Sequence, residues 1–245
     1  MRIMTLNMHK GFGLFNRNFI LPAMRKAIRS VSADIVLLQE VIGEHHEYAT
    51  RYENWPLESQ YEFLADSIWP DFAYGKNAVT DNSHHGNAML SKFPINAWCN
   101  HDLPVSTGEA RGVLHCDVQW PLIGERLHLC CVHLGLKESD RQQQLQMLCE
   151  VVEREIPPNS PLVVAGDFND WRCRACGMLH VRLGLIEAFT DTVGKPPRTY
   201  PAKFPALRLD RVYSRNIKTG SPQVLTGQPW SRLSDHAALT VDLAP

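Results

Sequence analysis

Residues 161–170 read PLVVAGDFND, an apolar run that gives way without a polar lead-in to Gly166, Asp167, Phe168, Asn169 and Asp170. The run from Leu162 to Ala165 suits a strand covered on both faces. In extended chain, positions i and i+2 share a face, so Asp167 and Asn169 would address one spot. Taken alone, the segment is equally a strand closing in an Asx turn, because Gly, Asp and Asn are ordinary turn formers. The arrangement recurs, however. RIMTLN (2–7) ends on Asn7, IVLLQE (35–40) ends on Gln39 and Glu40, and RLHLCCVHL (126–134) carries His133 near its end. Asp210 interrupts LRLDRVYS (207–214), and Asp235 and His236 stand at the opening of HAALTVDL (236–243). If these tips converge on one rim, they make a pocket of acidic oxygens and two imidazoles, on loops held by a rigid sheet.

The spacing of Ile20, Leu21, Met24, Ala27, Ile28 and Val31 predicts an amphipathic helix over about 19–32. SDRQQQLQMLCEVVERE (139–155) predicts another, with Leu145, Leu148 and Val152 on one face and Ser139 or Asp140 as cap. Shorter helices are expected over 60–69 and 174–183, and further strands over GNAMLS (86–91), RGVLHCDVQW (111–120) and SPQVLT (221–226). Some strands are joined too closely for βαβ crossovers, which points to an α/β chain with mixed sheets covered by helices. A length of 245 residues with 44% apolar content supplies a sizeable core. The Pro-containing stretches 157–161 and 196–205 are short enough to be loops, so residues 1–245 read as one domain.

Composition also bounds the setting. A net charge of −1 lacks the positive excess of a protein that grips nucleic acid through many phosphates. Of the seven cysteines, Cys116, Cys130, Cys131 and Cys149 sit inside apolar runs, as reduced thiols would. Cys173 and Cys176 have CxxC spacing, with no second pair to complete a zinc finger. The first residues lack the apolar stretch of a signal peptide, and no window reaches membrane-spanning length. A cytoplasmic protein with no stable membrane insertion and no obligate protein partner is the expectation.

Asn7, Glu40, Asp167, Asn169 and Asp235 are hard oxygen donors, suited to Mg²⁺ or Mn²⁺ rather than zinc. His133 and His236 titrate near neutrality and can serve as acid, base or phosphate donor. A metal beside such groups is what in-line attack of water on phosphorus needs.

At this point the chain resembles the endonuclease/exonuclease/phosphatase superfamily, which has the DNase I-like fold. LNMHKG (6–11), LLQE (37–40), HGNAMLSKFPI (85–95), CVHLGL (131–136) with Arg141 and Gln142, AGDFND (165–170), RLDRVY (208–213) and SDHAAL (234–239) are similar to its motifs in order. The resemblance implies a four-layer α/β sandwich with two central mixed β-sheets flanked by helices. It implies Glu40 as principal metal ligand with Asn7 beside it and Asp235 assisting. Asp167 would position or deprotonate the attacking water and Asn169 would hold a phosphate oxygen. His236 would contact the phosphate or act as acid–base partner, oriented by Asp210, with His133 on the leaving-group side. Asn87 and Arg111 are carried as substrate-binding residues. Arg211 departs from the pattern, standing where the family often has His or Tyr.

The implied activity is a Mg²⁺-dependent phosphodiesterase or nuclease, with nucleic acid preferred as substrate. A phospholipid or inositol-phosphate phosphodiesterase or phosphatase is the enzymatic alternative, and an inactive binding scaffold the other. A lipid substrate would call for an exposed apolar loop, and residues 51–75, with Trp55, Tyr61, Phe63 and Trp69, are the candidate; a helix packed on the sheet is the expectation for them. Trp171 is expected beside the cleft. His84 and His85 receive no direct role, and His9, His45, His46 and His101 read as solvated loop residues or local hydrogen-bond partners.

Overall fold

A computed structural model describes residues 1–13, 18–121 and 124–245. Its first sheet contains β1 (Arg2–Asn7), β2 (Ile35–His45), β3 (Asp71–Thr80), β4 (Ser83–Ser91), β11 (Lys218–Leu225) and β12 (Ala238–Ala244), in the order β11-β12-β1-β2-β4-β3. The second contains β5 (Ile95–Asp102), β6 (Gly112–Gln119), β7 (Arg126–His133), β8 (Leu162–Asp167), β9 (Ile186–Glu187) and β10 (Asp210–Arg215), in the order β5-β6-β7-β8-β10-β9. Both sheets are mixed. The pairs β1–β2 and β7–β8 are parallel, and each crosses over through a helix, α1 (Leu21–Ser30) or α4 (Glu138–Glu155). The remaining helices are α2 (His46–Arg51), α3 (Gln60–Ala65), α5 (Ala175–Leu183) and α6 (Ala188–Val193).

The two-residue period of the strands sorts their side chains into layers. Ile3, Ile35, Leu37 and Met89 of the first sheet meet Leu114, Cys116, Leu129, Cys131, Val163 and Ala165 of the second in a shared core. The alternate residues Met4, Leu6, Val36 and Leu38 face outward against Leu21, Met24, Ala27 and Ile28 of α1. Val113, Cys130, Val132 and Val164 likewise pack on Leu145, Leu148 and Val152 of α4. Each buried aliphatic side chain contributes ~1.5–3 kcal/mol, which is what allows polar groups to be buried at the sheet ends. Helix, sheet, sheet, helix is the four-layer sandwich that the sequence implied.

Local expectations needed correction in several places. The helix expected over 60–69 begins after a Ser59–Glu62 capping box and stops at Ala65. Trp69 beyond it is buried, its indole N–H donating to the Ala33 carbonyl at 3.1 Å. Residues 71–80 and 95–102 form strands that sequence periodicity did not reveal, because both lie at sheet edges with few fully buried residues. The N-cap of α4 is Lys137 without a side-chain bond; Asp140 instead accepts from the Thr107 hydroxyl at 2.5 Å. Asp210 begins its strand rather than interrupting it. Among the described residues, no helix is long and apolar enough to cross a membrane.

Candidate active site

Register explains why the polar tips meet. His133 of β7 pairs with Asp167 of β8, and Asp167 pairs with Asp210 of β10, so the three stand in one row across adjacent strands. Counting back by twos, His133 follows Leu129 and Cys131, Asp167 follows Val163 and Ala165, and Asp210 precedes Val212, all core residues between the sheets. The row therefore faces the first sheet, as does Asn7, which follows Ile3 and Thr5 on β1. Gly166 makes the close packing possible. A Cβ there would lie 2.0 Å from the Val132 carbonyl oxygen, and its φ of +143° disfavours any side chain.

Glu40 reaches the same place by a different route. Two-residue alternation would turn it away from Gln39, but β2 bulges between Leu38 and Val41, and Glu40 adopts φ +55°. A bulge re-aims a side chain, and a non-glycine residue in the left-handed region costs ~1–2 kcal/mol. The Asn7 amide nitrogen then donates to Glu40 Oε1 at 3.2 Å and to Asp167 Oδ2 at 3.1 Å, joining the two carboxylates across the sheets. Asp167 also accepts from the Asn169 backbone N–H at 2.9 Å. The Asn169 side chain donates to the Leu134 carbonyl at 2.9 Å and to Asp167 at 3.4 Å. As arranged, Asn169 orients Asp167; holding a phosphate oxygen would require it to release one of these bonds.

The two histidines are set in opposite charge states. His236 Nδ1 lies 2.9 Å from Asp210 Oδ2, and its Nε2 lies 3.8 Å from Asp167 Oδ2. Burial works against its protonation, but Asp210, Asp167, the Asp210 hydrogen bond and Asp235 outweigh burial and raise the imidazole pKa above its ordinary value. His133 is driven well below its ordinary value, first by burial and then by Arg111 and His236. Arg111 Nη1 approaches His133 Nδ1 at 3.1 Å, and only a neutral ring with a free lone pair can accept there. That leaves the proton on Nε2, 3.5 Å from Asp167 Oδ2. Burial raises the Asp167 carboxyl, an effect opposed by His236 and reinforced by Asp210.

The remaining site candidates join this network at its margins. Arg111 pairs with Glu109 at 2.5 Å as well as touching His133. Asn87 donates to the carbonyls of Gly112 and Cys131 at 3.0 and 3.2 Å, so its amide protons staple β4 to the second sheet. Asp235 is linked through Ser234, whose hydroxyl is 3.3 Å from Asp235 Oδ1 and donates to the Asn7 carbonyl at 2.7 Å. Arg211 is fully buried and donates to the carbonyls of Asp210 and Asp170 and to Cys173 Sγ, bracing the loop after β8.

Two histidines outside the expected set are placed here. His9, read as a solvated or locally bonded residue, lies 3.7 Å from Asp235 and has a buried, unpartnered Nδ1. His85 lines a small cavity with Glu40, Asn77, Asn87, Arg111 and His133; the signal for it was its place two residues before Asn87 and four before Met89, on the same face of the strand. His101 lies on β5 rather than in a loop, with a buried, unpartnered Nε2. Trp171, 39% exposed, carries the Arg141 guanidinium 4.6 Å over its ring beside the site loop.

The donor set suits a hard divalent cation. Oxygens of Asp167 and Asp210 and a ring nitrogen of His236 lie within 4.8 Å of one another, and Asp210 Oδ1 is buried without a partner. An ion on that trio would compete with the His236–Asp210 bond, whereas one at Glu40 and Asn7 leaves it intact.

Comparison with known proteins extends these observations. The family model described as Endonuclease/Exonuclease/phosphatase family matches residues 4–236. The Escherichia coli K12 relative described as uncharacterized protein YbhP is 52% identical over 242 residues, covering 99% of this chain and 95% of that one. An endonuclease/exonuclease/phosphatase from Beutenbergia cavernae superposes with a TM-score of 0.81 at 21% identity, over 99% of this chain and 70% of that one. The Bacteroides thetaiotaomicron mannosyl-6-phosphatase gives 0.74 at 15% identity, over the whole of both chains. D. rerio TDP2 in complex with a single-strand DNA product gives 0.74 at 17%, over 100% of this chain and 99% of that one. At those identities the structural likenesses establish the fold.

Proposed function

The chain belongs to the endonuclease/exonuclease/phosphatase family, and on that footing we propose that it is a divalent-metal-dependent phosphoester hydrolase acting on phosphodiesters. The row His133–Asp167–Asp210, closed by His236 on one side and by Asn7 and Glu40 on the other, carries this reading. Glu40 and Asn7, with Asp235 linked to Asn7 through Ser234, would hold the ion. When bound, Mg²⁺ or Mn²⁺ neutralises phosphoryl oxygen charge and makes a water more acidic. Asp167, held by Asn7 and Asn169 with a raised pKa, orients and deprotonates the attacking water. His236, kept protonated by Asp210, directs Nε2–H at a phosphoryl oxygen. Neutral His133 offers its own Nε2–H on the leaving-group side, and Arg111 fixes that tautomer.

Nucleic acid is favoured over phospholipid as substrate. Trp69 is buried and Trp55 stacks on Phe19 with centroids 4.8 Å apart, so these aromatics pack inward rather than forming a membrane-seeking loop. The TDP2 relative's single-strand DNA product supports the same preference, and the mannosyl-6-phosphatase relative makes phosphomonoesters the comparison class.

The test is hydrolysis in Mg²⁺, Mn²⁺ and EDTA of bis-p-nitrophenyl phosphate, single- and double-stranded DNA, RNA, phospholipid vesicles and inositol phosphates. Metal-dependent cleavage of diesters and nucleic acid is expected, and Glu40→Ala should abolish it without unfolding. Full activity in Glu40→Ala would refute the metal assignment; cleavage of lipid alone would overturn the substrate preference.

A further inference from the structure

A second space opens beside the Glu40 cavity, and the hydrolytic groups described above do not use it. It holds about 150 Å³ and is lined by Lys10, His45, Tyr48, Thr80 and His85, with no carboxylate among its lining residues. His85 borders both spaces. Asn87 of the Glu40 cavity stands two residues further along β4, about 7 Å at ~3.4 Å per residue. Lys10 enters from the turn after β1 in a left-handed conformation, φ 58° and ψ 19°. That conformation costs a lysine ~1–2 kcal/mol. Buried Gln60 holds it, its side chain donating to the Lys10 carbonyl at 2.9 Å and accepting from the Ile42 N–H at 3.0 Å. Backbone strain of this kind clusters at sites that bind a ligand.

On the footing that hydrolysis takes place at the Glu40 corner, we propose that Lys10, with His45 and His85, forms a second anion subsite that seats a phosphate flanking the scissile one. The substrate is then a nucleic acid strand with at least two successive phosphates. The side chains around the space are hydrogen-bond donors. His45 lies flat on Tyr48, with ring centroids 3.6 Å apart and 7° between the planes. Its Nδ1 accepts from the Tyr48 N–H at 3.3 Å, so the ring carries its proton on Nε2. His85 offers an N–H in either charge state, and the Lys10 ammonium offers three. Among the described residues no carboxylate pairs with that ammonium: Asp235 lies by His9, Glu44 is taken by His46, and Glu109 by Arg111. A strand brought to the carboxylates of Glu40, Asp167, Asp210 and Asp235 meets repulsion that an unpaired cation beside them offsets. The step from one space to the other is comparable to the separation of neighbouring phosphates on an extended strand.

Thymidine dinucleotides test the subsite separately from the reaction. The dinucleotide d(TpT) carries the scissile phosphate alone, while d(pTpT) and d(TpTp) add a phosphate on one side or the other. Isothermal titration of the full-length protein in EDTA reads binding with hydrolysis switched off. One of the two phosphorylated forms should bind wild type at least about tenfold more tightly than d(TpT). That preference should shrink below about threefold in Lys10→Met and persist in Lys10→Arg, with circular dichroism confirming that both variants fold. In Mg²⁺ the same preference should appear in KM rather than in kcat. Equal affinity of wild type for all three dinucleotides, or an undiminished preference in Lys10→Met, would overturn the subsite. Inositol 1,4,5-trisphosphate binding that depends on Lys10, without any dinucleotide preference, would overturn nucleic acid as the source of the second phosphate. Failure to hydrolyse any dinucleotide in Mg²⁺, with the EDTA preference intact, would instead sink the hydrolase reading and leave the anion subsite standing.

Discussion

His236 Nδ1 and Asp210 Oδ2 lie 2.9 Å apart, a hydrogen bond between residues 26 positions distant in sequence that fixes which ring nitrogen faces Asp167. The bond settles the tautomer and the charge of His236 together, because the carboxylate both accepts the Nδ1 proton and stabilises the imidazolium.

Asp210→Asn is accordingly expected to lower kcat by about 10²–10⁴-fold with little change in KM, by analogy with acid–base groups whose orienting partner is lost. The readout is diester hydrolysis in Mg²⁺ together with circular dichroism. Unchanged kcat in a folded variant would detach Asp210 from the chemistry.

Glu40 sits at φ +55° within a bulge. Glu40→Gly should therefore abolish metal-dependent turnover yet leave the melting temperature equal to wild type or higher, since glycine relieves ~1 kcal/mol or more of backbone strain. A stability loss would show that the carboxylate, rather than the bulge, organises this corner.

Gly166→Ala should be destabilising by more than ~1 kcal/mol, because the added methyl meets the Val132 carbonyl and φ is unsuitable. Urea denaturation measures it. The displaced loop should also lower turnover, as Asp167 follows directly.

Burial pushes the Cys130 and Cys131 thiols up to about 12 and Cys149 up to about 11. Under native conditions a thiol reagent should modify exposed Cys99 and the half-buried Cys173 and Cys176, with the remaining four appearing only in denaturant. Rapid native labelling of all seven would contradict the packing.

Burial, with His128 adding to it, lowers the His115 pKa to about 4, whereas an unfolded histidine titrates near ~6.5. The unfolded chain thus takes up the proton first as pH falls. The contribution of neutral His115 to stability is complete above pH ~6.5 and is lost progressively down to about pH 4. In chelator, the urea midpoint should fall across that window and fall less in His115→Gln.

The sequence by itself determined the strands that hold the site and which residues stand at their ends. Alternation in RLHLCCVH and LVVAGD sets His133 and Asp167 on the same face as the core residues before them, and ordered motifs announced the family. That information is local, with a period of two residues. The edge strands 71–80 and 95–102 carried no comparable apolar alternation, since few of their residues are buried. Only the tertiary structure decided the rest. A bulge turned Glu40 against its own strand's alternation, register aligned His133, Asp167 and Asp210, and a cross-sheet bond joined Asn7 to Asp167, with His9 and His85 placed near the same rim. Charge states followed too: His133 neutral and His236 protonated differ because one faces Arg111 and the other Asp210. Such electrostatics depend on which groups share a low-dielectric space, and that is fixed by contacts between segments far apart in the chain.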